Sequence, residues 1–433
     1  MWQFDIKWGG TLQKLASIEK PIDSGEKSIA VNLQKAQTWY DRGNALESMG
    51  RLSAALESWE KALECEPNFY EAWYNKGVTL RKLGQLPEAI SAYNKSLKIK
   101  ADNPEAWYNR ANVLRKLNRL SEAIASYEHA IELKPDYHEA WTNRGNTLVN
   151  LEKFSEAISS YDKAIAIKAD YCEAWYNKAF ALKNSSQNTA AIISYDKAIE
   201  LKPDLHQAWY NRGLALADEK LYPEAVASYD KTLQLRPDSP EVWNKRGTAI
   251  AQMGKFKSAL ASWDKAIALK PDDSETWYNR GLALANLKRF EEAIASWDKS
   301  LELQPDNTEA YYNRAVAFRK IQRFAEAIDS YDRIIAITPN DPNLYYQKAC
   351  VYALEREADN QKNSPESVAT STRKAIENLS KAIELNPEKY RKLCQNDSKL
   401  RTIQEEVRFL AWFQGKQRLI DWLIMMDAAL QPL

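Results

Sequence analysis

The sequence predicts an all-α fold built from about ten helix–turn–helix units in tandem. Aromatic residues recur at one constant spacing along the chain, at Trp39, Trp73, Trp107, Trp141, Trp175, Trp209, Trp243, Trp277, Tyr311 and Tyr345. Alanines keep the same spacing, and each is followed four residues later by Trp or Tyr, from Ala55 and Trp59 to Ala327 and Tyr331. A separation of four places two side chains on one face of a helix, so each unit contains amphipathic helices.

Each unit divides into two helices. With position 1 at Ala36, Tyr70 and every 34th residue after them, helix A is predicted over about positions 2 to 14 and helix B over about positions 17 to 30. The short turn between them often contains Gly, as at Gly50, Gly84 and Gly254.

The start of helix A carries a capping signal. Position 33 is Asp or Asn in nine units, and Glu usually follows three residues later, as in Asp102 and Glu105. This pair, after a Pro that ends helix B, predicts a capping box with position 33 as the N-cap.

Composition excludes several classes of protein. The 433 residues are 45% hydrophobic and 27% charged, with a net charge of +1, so no bulk field attracts the chain to nucleic acid or an anionic membrane. The four cysteines lie far apart without metal-ligand spacing, which favours reduced thiols and a cytoplasmic location. The sequence shows no signal peptide and no apolar run long enough for a membrane span.

These columns resemble the tetratricopeptide repeat, with Trp at position 4, a small residue at 8, Ala at 20, an aromatic residue at 24 and Pro at 32. The resemblance implies a right-handed α-solenoid, a superhelix whose inner groove is lined by helix A. It divides the chain into an N-terminal segment and cap at 1–35, nine regular units at 36–341, a tenth unit at 342–387 and C-terminal capping helices at 388–433.

Two segments depart from the regular pattern. The Ala column returns at Ala375 only after an insertion, so the Ser-, Thr- and Asn-rich stretch near 357–372 is predicted to be a flexible loop inside the tenth unit. The tail LIDWLIMMDAAL is apolar but too short to span a bilayer. It is predicted to be a capping helix, with peripheral membrane contact or a partner helix as the alternative.

Position 6 of helix A suggests a binding surface. Turning about 100° per residue, positions 2, 5, 6, 9, 12 and 13 share the side that faces the expected groove. Asn is a mediocre helix former, yet it occupies position 6 in seven units: Asn75, Asn109, Asn143, Asn177, Asn211, Asn279 and Asn313. A ladder of amides could bind the backbone of an extended peptide. The alternative is that each Asn bonds to the backbone of a neighbouring repeat and only spaces the helices.

Position 5 adds aromatic surface beside these amides, at Tyr74, Tyr108, Tyr176, Tyr210, Tyr278 and Tyr312, with further tyrosines in the first and last units. Tyrosine is favoured in recognition surfaces because it is large and loses little entropy on binding. Packing against the next helix A is the alternative role.

Position 7 is basic in every unit and points inward, for example Arg110 and Arg144. Position 25 of helix B is acidic almost as regularly, with Asn94 as the exception. Two matched columns of opposite sign predict ion pairs between helices, with the arginine stems buried. A cationic stripe for a ligand is the alternative.

The charge of the groove is then expected to come from positions 12 and 13. The basic residues there form two zones: Arg81, Lys82, Arg115, Lys116 and Lys183 in one, Arg319 and Lys320 in the other. They suit an acidic peptide or a terminal carboxylate. The two-carboxylate clamp of chaperone-binding relatives needs a basic residue at position 5, so that partner class is not expected.

No motif for a cofactor, a metal or a catalytic nucleophile is present, and the three histidines fall on predicted surface positions. The sequence therefore predicts a non-enzymatic adaptor that binds an extended, acidic protein segment, with no small-molecule substrate. Two rivals stay open: binding of single-stranded RNA along the groove, and a self-assembling scaffold or sensor subunit of a larger complex. Nucleic acid is the less favoured of the two because the net charge is balanced.

Overall fold

The computed structural model describes residues 24–361 and 365–403, and these residues are almost entirely helical. Helices α1 to α21 follow one another as α1 Ser24–Ser48, α2 Leu52–Cys65, α3 Tyr70–Lys82, α4 Leu86–Ile99, α5 Pro104–Lys116, α6 Leu120–Leu133, α7 His138–Val149, α8 Phe154–Ile167, α9 Cys172–Asn184, α10 Asn188–Leu201, α11 His206–Asp218, α12 Tyr222–Leu235, α13 Pro240–Gln252, α14 Phe256–Leu269, α15 Ser274–Asn286, α16 Phe290–Leu303, α17 Thr308–Lys320, α18 Phe324–Ile337, α19 Pro342–Gln361, α20 Pro365–Leu385 and α21 Pro387–Asn396, and a short 3-10 helix covers Ser398–Ile403. The predicted all-α array of helix pairs is confirmed.

The chain forms two compact units, Met1–Leu205 and His206–Leu433. Within each unit every helix packs against its neighbours in sequence, so the helix pair is the local building block. In the regular repeats, helix A occupies positions 1 to 13 and helix B positions 17 to 30, close to the predicted bounds.

The turn between helices A and B has one backbone conformation throughout. Position 15 adopts a positive φ in the first nine repeats, with Gly at Gly50, Gly84 and Gly254 but other residues elsewhere, such as Asn118 at 58° and Lys288 at 60°. The N–H of position 16 then donates to the carbonyl of position 11, as from Arg119 to Leu114 at 2.9 Å. This bond satisfies a carbonyl that the helix end would leave unpaired, which explains why non-glycine residues accept the left-handed conformation here.

The core of each pair is a contact between position 24 of helix B and position 8 of helix A. A Cβ at Gly281 would lie 2.5 Å from the Trp297 ring, and one at Gly247 would lie 2.8 Å from the Trp263 ring. Wherever Trp stands at position 24, position 8 is Gly, whereas Tyr at position 24 occurs with Gly or with Ala, as in Tyr127 and Ala111. Both Tyr127 and Ala111 are buried, so a methyl group at position 8 packs against Tyr there. A Cβ at Gly145 would lie 2.5 Å from the Tyr161 ring, so ring size alone does not decide which residue stands at position 8.

The tryptophans at position 4 tie one repeat to the previous one. The Trp73 indole N–H donates to the Pro67 carbonyl at 2.9 Å, and Trp277 bonds to Pro271 at 2.8 Å. In the tenth repeat the hydroxyl of Tyr345 makes the same bond to Pro339 at 3.0 Å. The aromatic column therefore closes the turn between repeats, since each of these bonds joins the end of one helix B to the start of the next helix A.

The predicted capping box is wrong by one residue. Position 34, not position 33, is the N-cap, and the side chain caps where Asn stands there: Asn103 accepts from the Ala106 N–H at 3.1 Å and Asn307 from the Ala310 N–H at 3.0 Å. Aspartates at position 33 lie outside the helix. Where position 34 is Tyr or Phe, as at Tyr137, no side chain caps.

The predicted flexible loop near 357–372 is also wrong. Helix α19 continues to Gln361 and α20 starts at Pro365, so only residues 362–364 of that stretch lie outside the described residues. Hydroxyl side chains stabilise this long pair: Ser371 donates to Glu355 across the helices at 3.0 Å, and Thr372 bonds back to the Val368 carbonyl at 2.7 Å. A Ser- and Thr-rich sequence thus stays helical when its hydroxyls have local partners.

The two ends are described in part. The N-terminal segment predicted at 1–35 is helical from Ser24 onward as part of α1, and residues 1–23 lie outside the described residues. At the other end, Tyr390, Cys394, Leu400 and Ile403 are buried against the tenth repeat. These residues belong to the predicted cap at 388–433, while residues 404–433, including the apolar tail, lie outside the described residues.

Candidate functional site

The polar residues of helix A form two sets, one bonded between repeats and one with few partners. The surface that carries positions 2, 5, 6, 9, 12 and 13 is called the helix-A face below.

The asparagines at position 6 are half-buried and donate to the preceding repeat. Asn109 donates to the hydroxyl of Tyr74 at 2.9 Å, and Asn143 donates to Tyr108 at 2.8 Å and to the side-chain carbonyl of Asn112 at 3.3 Å. The same pattern ties Asn75, Asn177 and Asn313 to the repeat before each of them. The partners are side chains at positions 5 and 9 and not the backbone groups that the structural alternative had supposed.

Asn279 differs from these. The repeat before it has Asn244 instead of Tyr at position 5, and the Asn244 carbonyl accepts from the indole of Trp263 at 2.9 Å. Among the described residues Asn279 has no hydrogen-bond partner for its side chain. Asn211 is half-buried on the same column. A ligand-binding role for the asparagine column stays a prediction, and most of its donors already serve the fold.

The tyrosines at position 5 pack on the aromatic residue at position 24 of the same repeat. Ring centroids lie 6.0 Å apart for Tyr74 and Tyr93, 6.0 Å for Tyr176 and Tyr195 and 5.9 Å for Tyr312 and Tyr331. Their rings thus pack within the repeat, and Tyr108 also lies 4.8 Å from Tyr137 at the N-cap of the next helix A. Burial raises the pKa of the Tyr74 phenol, and for Tyr278 burial and Glu309 raise the pKa to about 12, so these hydroxyls stay protonated.

The glutamates at position 2, which were predicted to belong to the capping box and to share the groove side of helix A, lie beside these tyrosines. Tyr278 donates to Glu309 of the next repeat at 3.2 Å, and Tyr210 donates to Glu241. Lys245, at position 6, reaches Glu275 at 3.3 Å. These carboxylates make the N-terminal side of the helix-A face acidic. The helical angle of position 2 already placed it on this face.

The basic column at position 7 forms the predicted ion pairs. Arg144 reaches Glu128 at 2.8 Å, and Arg246 reaches Asp230 at 2.6 Å, in each case on helix B of the preceding repeat. Further pairs join Lys76 to Glu60, Lys178 to Asp162, Arg280 to Asp264, Arg314 to Asp298 and Lys348 to Asp332. The prediction of ion pairs is confirmed.

Sequence reasoning missed a second partner of position 7. The arginines also donate to a buried Ser at position 23 of their own helix B, as from Arg144 to Ser160 at 2.7 Å and from Arg280 to Ser296 at 2.7 Å. Each arginine therefore links two successive B helices. The serines recur at the same spacing as the aromatic residues, and this recurrence was the signal that could have revealed them.

In one repeat this network lacks its acid. Arg110 donates to the side-chain carbonyl of Asn94 at 2.7 Å, where the other repeats have a carboxylate. Burial lowers the pKa of the Arg110 guanidinium, and Asn94 supplies no compensating charge.

The basic residues at positions 12 and 13 have few partners. Lys82 pairs with Glu47 at 2.9 Å, but Arg81, Arg115, Lys116, Arg319 and Lys320 make no ion pair with any described residue. All three arginines at position 12 bury a guanidinium nitrogen that has no hydrogen-bond partner among the described residues: Nε of Arg81, Nε of Arg115 and Nη1 of Arg319. Lys183, in the same column, is half-buried.

Cys350 falls on the helix-A face by its position in the sequence, yet it is fully buried in the core of the tenth repeat. Burial raises the pKa of its thiol to about 12, which keeps it protonated and unreactive. No group of three or more metal-ligating side chains occurs among the described residues. In the same part of the chain, no helix is long and apolar enough to cross a membrane.

The chain belongs to the tetratricopeptide repeat family. Tetratricopeptide repeat models match residues 40–106, 173–240, 244–308 and 289–342, and a second model of that description matches 104–137 and 138–171. Proteins of this family are generally interaction scaffolds, and the match supports a protein–protein interaction scaffold here.

Solved structures with similar repeats cover parts of the chain. YrrB, described as a TPR protein with an unusual peptide-binding site, is 26% identical with a TM-score of 0.40 and covers 43% of this chain and 96% of its own. The C-terminal part of a TPR repeat-containing protein from Cytophaga hutchinsonii is 19% identical with a TM-score of 0.49, over 55% of this chain and 97% of its own. The comparison with curated proteins gave no significant match.

Proposed function

We propose that the chain is a non-enzymatic, cytoplasmic adaptor that binds an extended, acidic segment of a partner protein on the helix-A face. The supporting observation is the set of position 12 arginines, Arg81, Arg115 and Arg319, which are partly exposed and form no ion pair with a described residue. A ligand carboxylate can form charge-assisted hydrogen bonds with these unpaired guanidinium groups. The position 7 arginines are not available to a ligand in this way, because they form ion pairs with acidic residues of the preceding repeat.

The unit before residue 206 offers the stronger surface. Arg81 and Arg115 occupy the same position in successive repeats, and Lys116 next to Arg115 is exposed without an ion pair among the described residues. Half-buried tyrosines at position 5 lie along the same helices and add aromatic contact area. Carboxylates spaced along an extended peptide can reach these cations in turn.

The acidic glutamates at position 2 favour a protein ligand over RNA. An RNA strand carries a charge at every phosphate, and phosphates near Glu241 or Glu309, which accept from tyrosine hydroxyls, would be repelled. A peptide can place carboxylates only on the side of the position 12 arginines. The acidic residues of the ligand should therefore lie toward the C-terminal ends of the A helices.

The test uses the full chain and a fluorescent peptide rich in Glu and Asp, compared with its Gln and Asn analogue. The double variant Arg81→Gln with Arg115→Gln should bind the acidic peptide about tenfold more weakly or worse. The matched control, Lys163→Gln with Lys231→Gln, removes the same charge from exposed positions on helix B and should leave binding within about twofold.

The salt dependence of the affinity distinguishes peptide binding from the rival function, the binding of single-stranded RNA. Acidic-peptide affinity should fall only moderately with salt, while the affinity for single-stranded RNA would fall steeply if RNA were the natural ligand. Tight, salt-sensitive RNA binding, or equal losses in the two double variants, would refute the acidic-peptide proposal.

A further inference from the structure

A cavity of about 470 Å³ lies in the second unit beside the C-terminal end of α17. Its wall includes Arg319 and Lys320 from α17, Phe324 from α18, Leu354 and Glu357 from α19 and Lys399 from the 3-10 helix. This volume is within the range of about 300 to 1,000 Å³ that small ligands occupy in proteins. None of the regular repeats supplies all of these elements, because the long α19 and the 3-10 helix follow only the ninth repeat.

The cavity carries excess positive charge. Arg319 and Lys320 form no ion pair with a described residue, and the Lys399 ammonium lies 3.8 Å from Asp397. Asp397 in turn accepts from the Tyr346 hydroxyl and from the Lys399 backbone N–H. Glu357 is the one acid on the described wall and is exposed. Three cations thus surround the space with a single carboxylate at its edge.

Two buried donors of the ninth repeat lack an acceptor, and one of them belongs to Arg319 of the cavity wall. Nη1 of Arg319 and the hydroxyl of Tyr331 are both buried without a hydrogen-bond partner among the described residues. In the third repeat the corresponding hydroxyl of Tyr127 donates to Asn112 at 2.6 Å, but the ninth repeat has Val316 where Asn112 stands. Burial and the neighbouring Tyr312 raise the pKa of the Tyr331 phenol, and the charge of Arg319 opposes that rise. An oxygen that accepts from Arg319 is the component that the site lacks.

We infer that this cavity binds a carboxylate carried on a short apolar group. The carboxylate accepts from Arg319 and is attracted by Lys320 and Lys399, and the apolar group packs on Phe324 and Leu354. This chemistry has two sources, a small organic acid or the C-terminal residue of a peptide. The inference does not depend on the acidic segment proposed above, whose strongest contacts lie in the other unit.

The experiment is calorimetric titration of the full chain with hexanoate and with hexanamide, which has the same stem but no charge. Hexanoate should bind, and hexanamide should bind at least about tenfold more weakly. Arg319→Gln should weaken hexanoate binding about tenfold or more, and Lys399→Gln should weaken it severalfold. The matched control Lys231→Gln removes one positive charge from an exposed position on helix B of the same unit, away from this cavity, and it should leave hexanoate binding unchanged.

Each alternative outcome is decisive. Absence of hexanoate binding at millimolar concentration, equal binding of hexanamide or inorganic phosphate, or an equal loss in Lys231→Gln and Arg319→Gln would overturn the inference. If Arg319→Gln does not fold, Lys399→Gln decides, because Lys399 is exposed outside the core. A short peptide ending in Leu, with a free or an amidated terminus, assigns the source: much tighter binding of the free acid than of hexanoate identifies a peptide C terminus.

Discussion

Basic residues at positions 7 and 12 of helix A are in opposite circumstances, and position 7 is basic in every repeat whereas position 12 is basic only at Arg81, Arg115, Lys183 and Arg319. At position 7, Arg314 is 18% exposed, pairs with Asp298 at 2.6 Å and donates to Ser330 at 2.8 Å. At position 12, Arg319 lies further along the same helix and buries a nitrogen that has no partner among the described residues. The first arginine is part of the fold, and the second is available to a ligand.

The difference arises from what the neighbouring B helices provide. An acid at position 25 and a serine at position 23 recur with the arginine at position 7, so the three columns form one network. No acidic or hydroxyl column in the sequence matches position 12. Charge at a repeated position therefore indicates function only when no partner column of opposite sign repeats with it.

The largest expected effect comes from breaking the paired column. Arg314→Ala removes the partner of Asp298 and of the buried Ser330 and should lower the free energy of unfolding by about 2 kcal/mol. Arg319→Ala, on the same helix, should change it by no more than about 0.5 kcal/mol, because no internal ion pair is lost. Urea unfolding followed by circular dichroism measures both.

A result in which both variants lose the same stability would mean that Arg319 also has a structural partner. The variant Asp298→Asn serves as the control, since it keeps the shape of the acid and removes its charge. It should fall between the wild type and Arg314→Ala.

The sequence was sufficient to predict the repeat, because one spacing kept without a slip from Trp39 to Tyr345 leaves few alternatives. It also predicted the ion pairs of position 7, since two columns of opposite sign were visible. It did not predict the helical continuation through residues 357–372, because hydroxyl residues are ambiguous until a partner such as Glu355 is known for Ser371. The predicted N-cap was displaced by one residue for a similar reason. The side chains of Asp102 and Asn103 are both able to cap a helix, and Asn103 is the N-cap because α5 begins at Pro104.

The site was predictable in part. Helical angle placed Asn109 and Tyr74 on one face, but it could not show that the amide of Asn109 bonds to the Tyr74 hydroxyl of the preceding repeat. Such a bond depends on how closely the A helices of two successive repeats pack. The sequence pattern of one repeat does not contain this distance. Buried nitrogens without partners, as in Arg115, appear only once the packing is known.

A smaller effect tests whether the buried hydroxyl of Tyr331, in the same repeat as Arg319, lacks a hydrogen-bond acceptor. Val316→Asn should give the Tyr331 hydroxyl the acceptor that Asn112 gives to Tyr127, and should raise the free energy of unfolding by about 1 kcal/mol. The reverse change, Asn112→Val, should destabilise by about as much. Thermal unfolding of the two variants measures both changes, and stabilisation by both or by neither would contradict the assignment of Tyr331 as an orphaned donor.

The smallest expected effect completes the paired column in the one repeat that lacks an acid. Asn94→Asp places a carboxylate beside Arg110, where Asn94 now accepts at 2.7 Å, and should stabilise the protein by about 0.5 kcal/mol at neutral pH. The guanidinium lowers the pKa of the introduced carboxyl below its unfolded value of about 3.9. The gain should therefore be complete above that unfolded value and disappear as the pH falls through the lowered folded value.

Unfolding measured in urea at neutral and at acid pH checks this, with Asn94→Ser as the uncharged control. A gain that persisted below both pKa values would show that the substitution acts through packing, and position 7 would then depend less on charge than its seven observed ion pairs indicate.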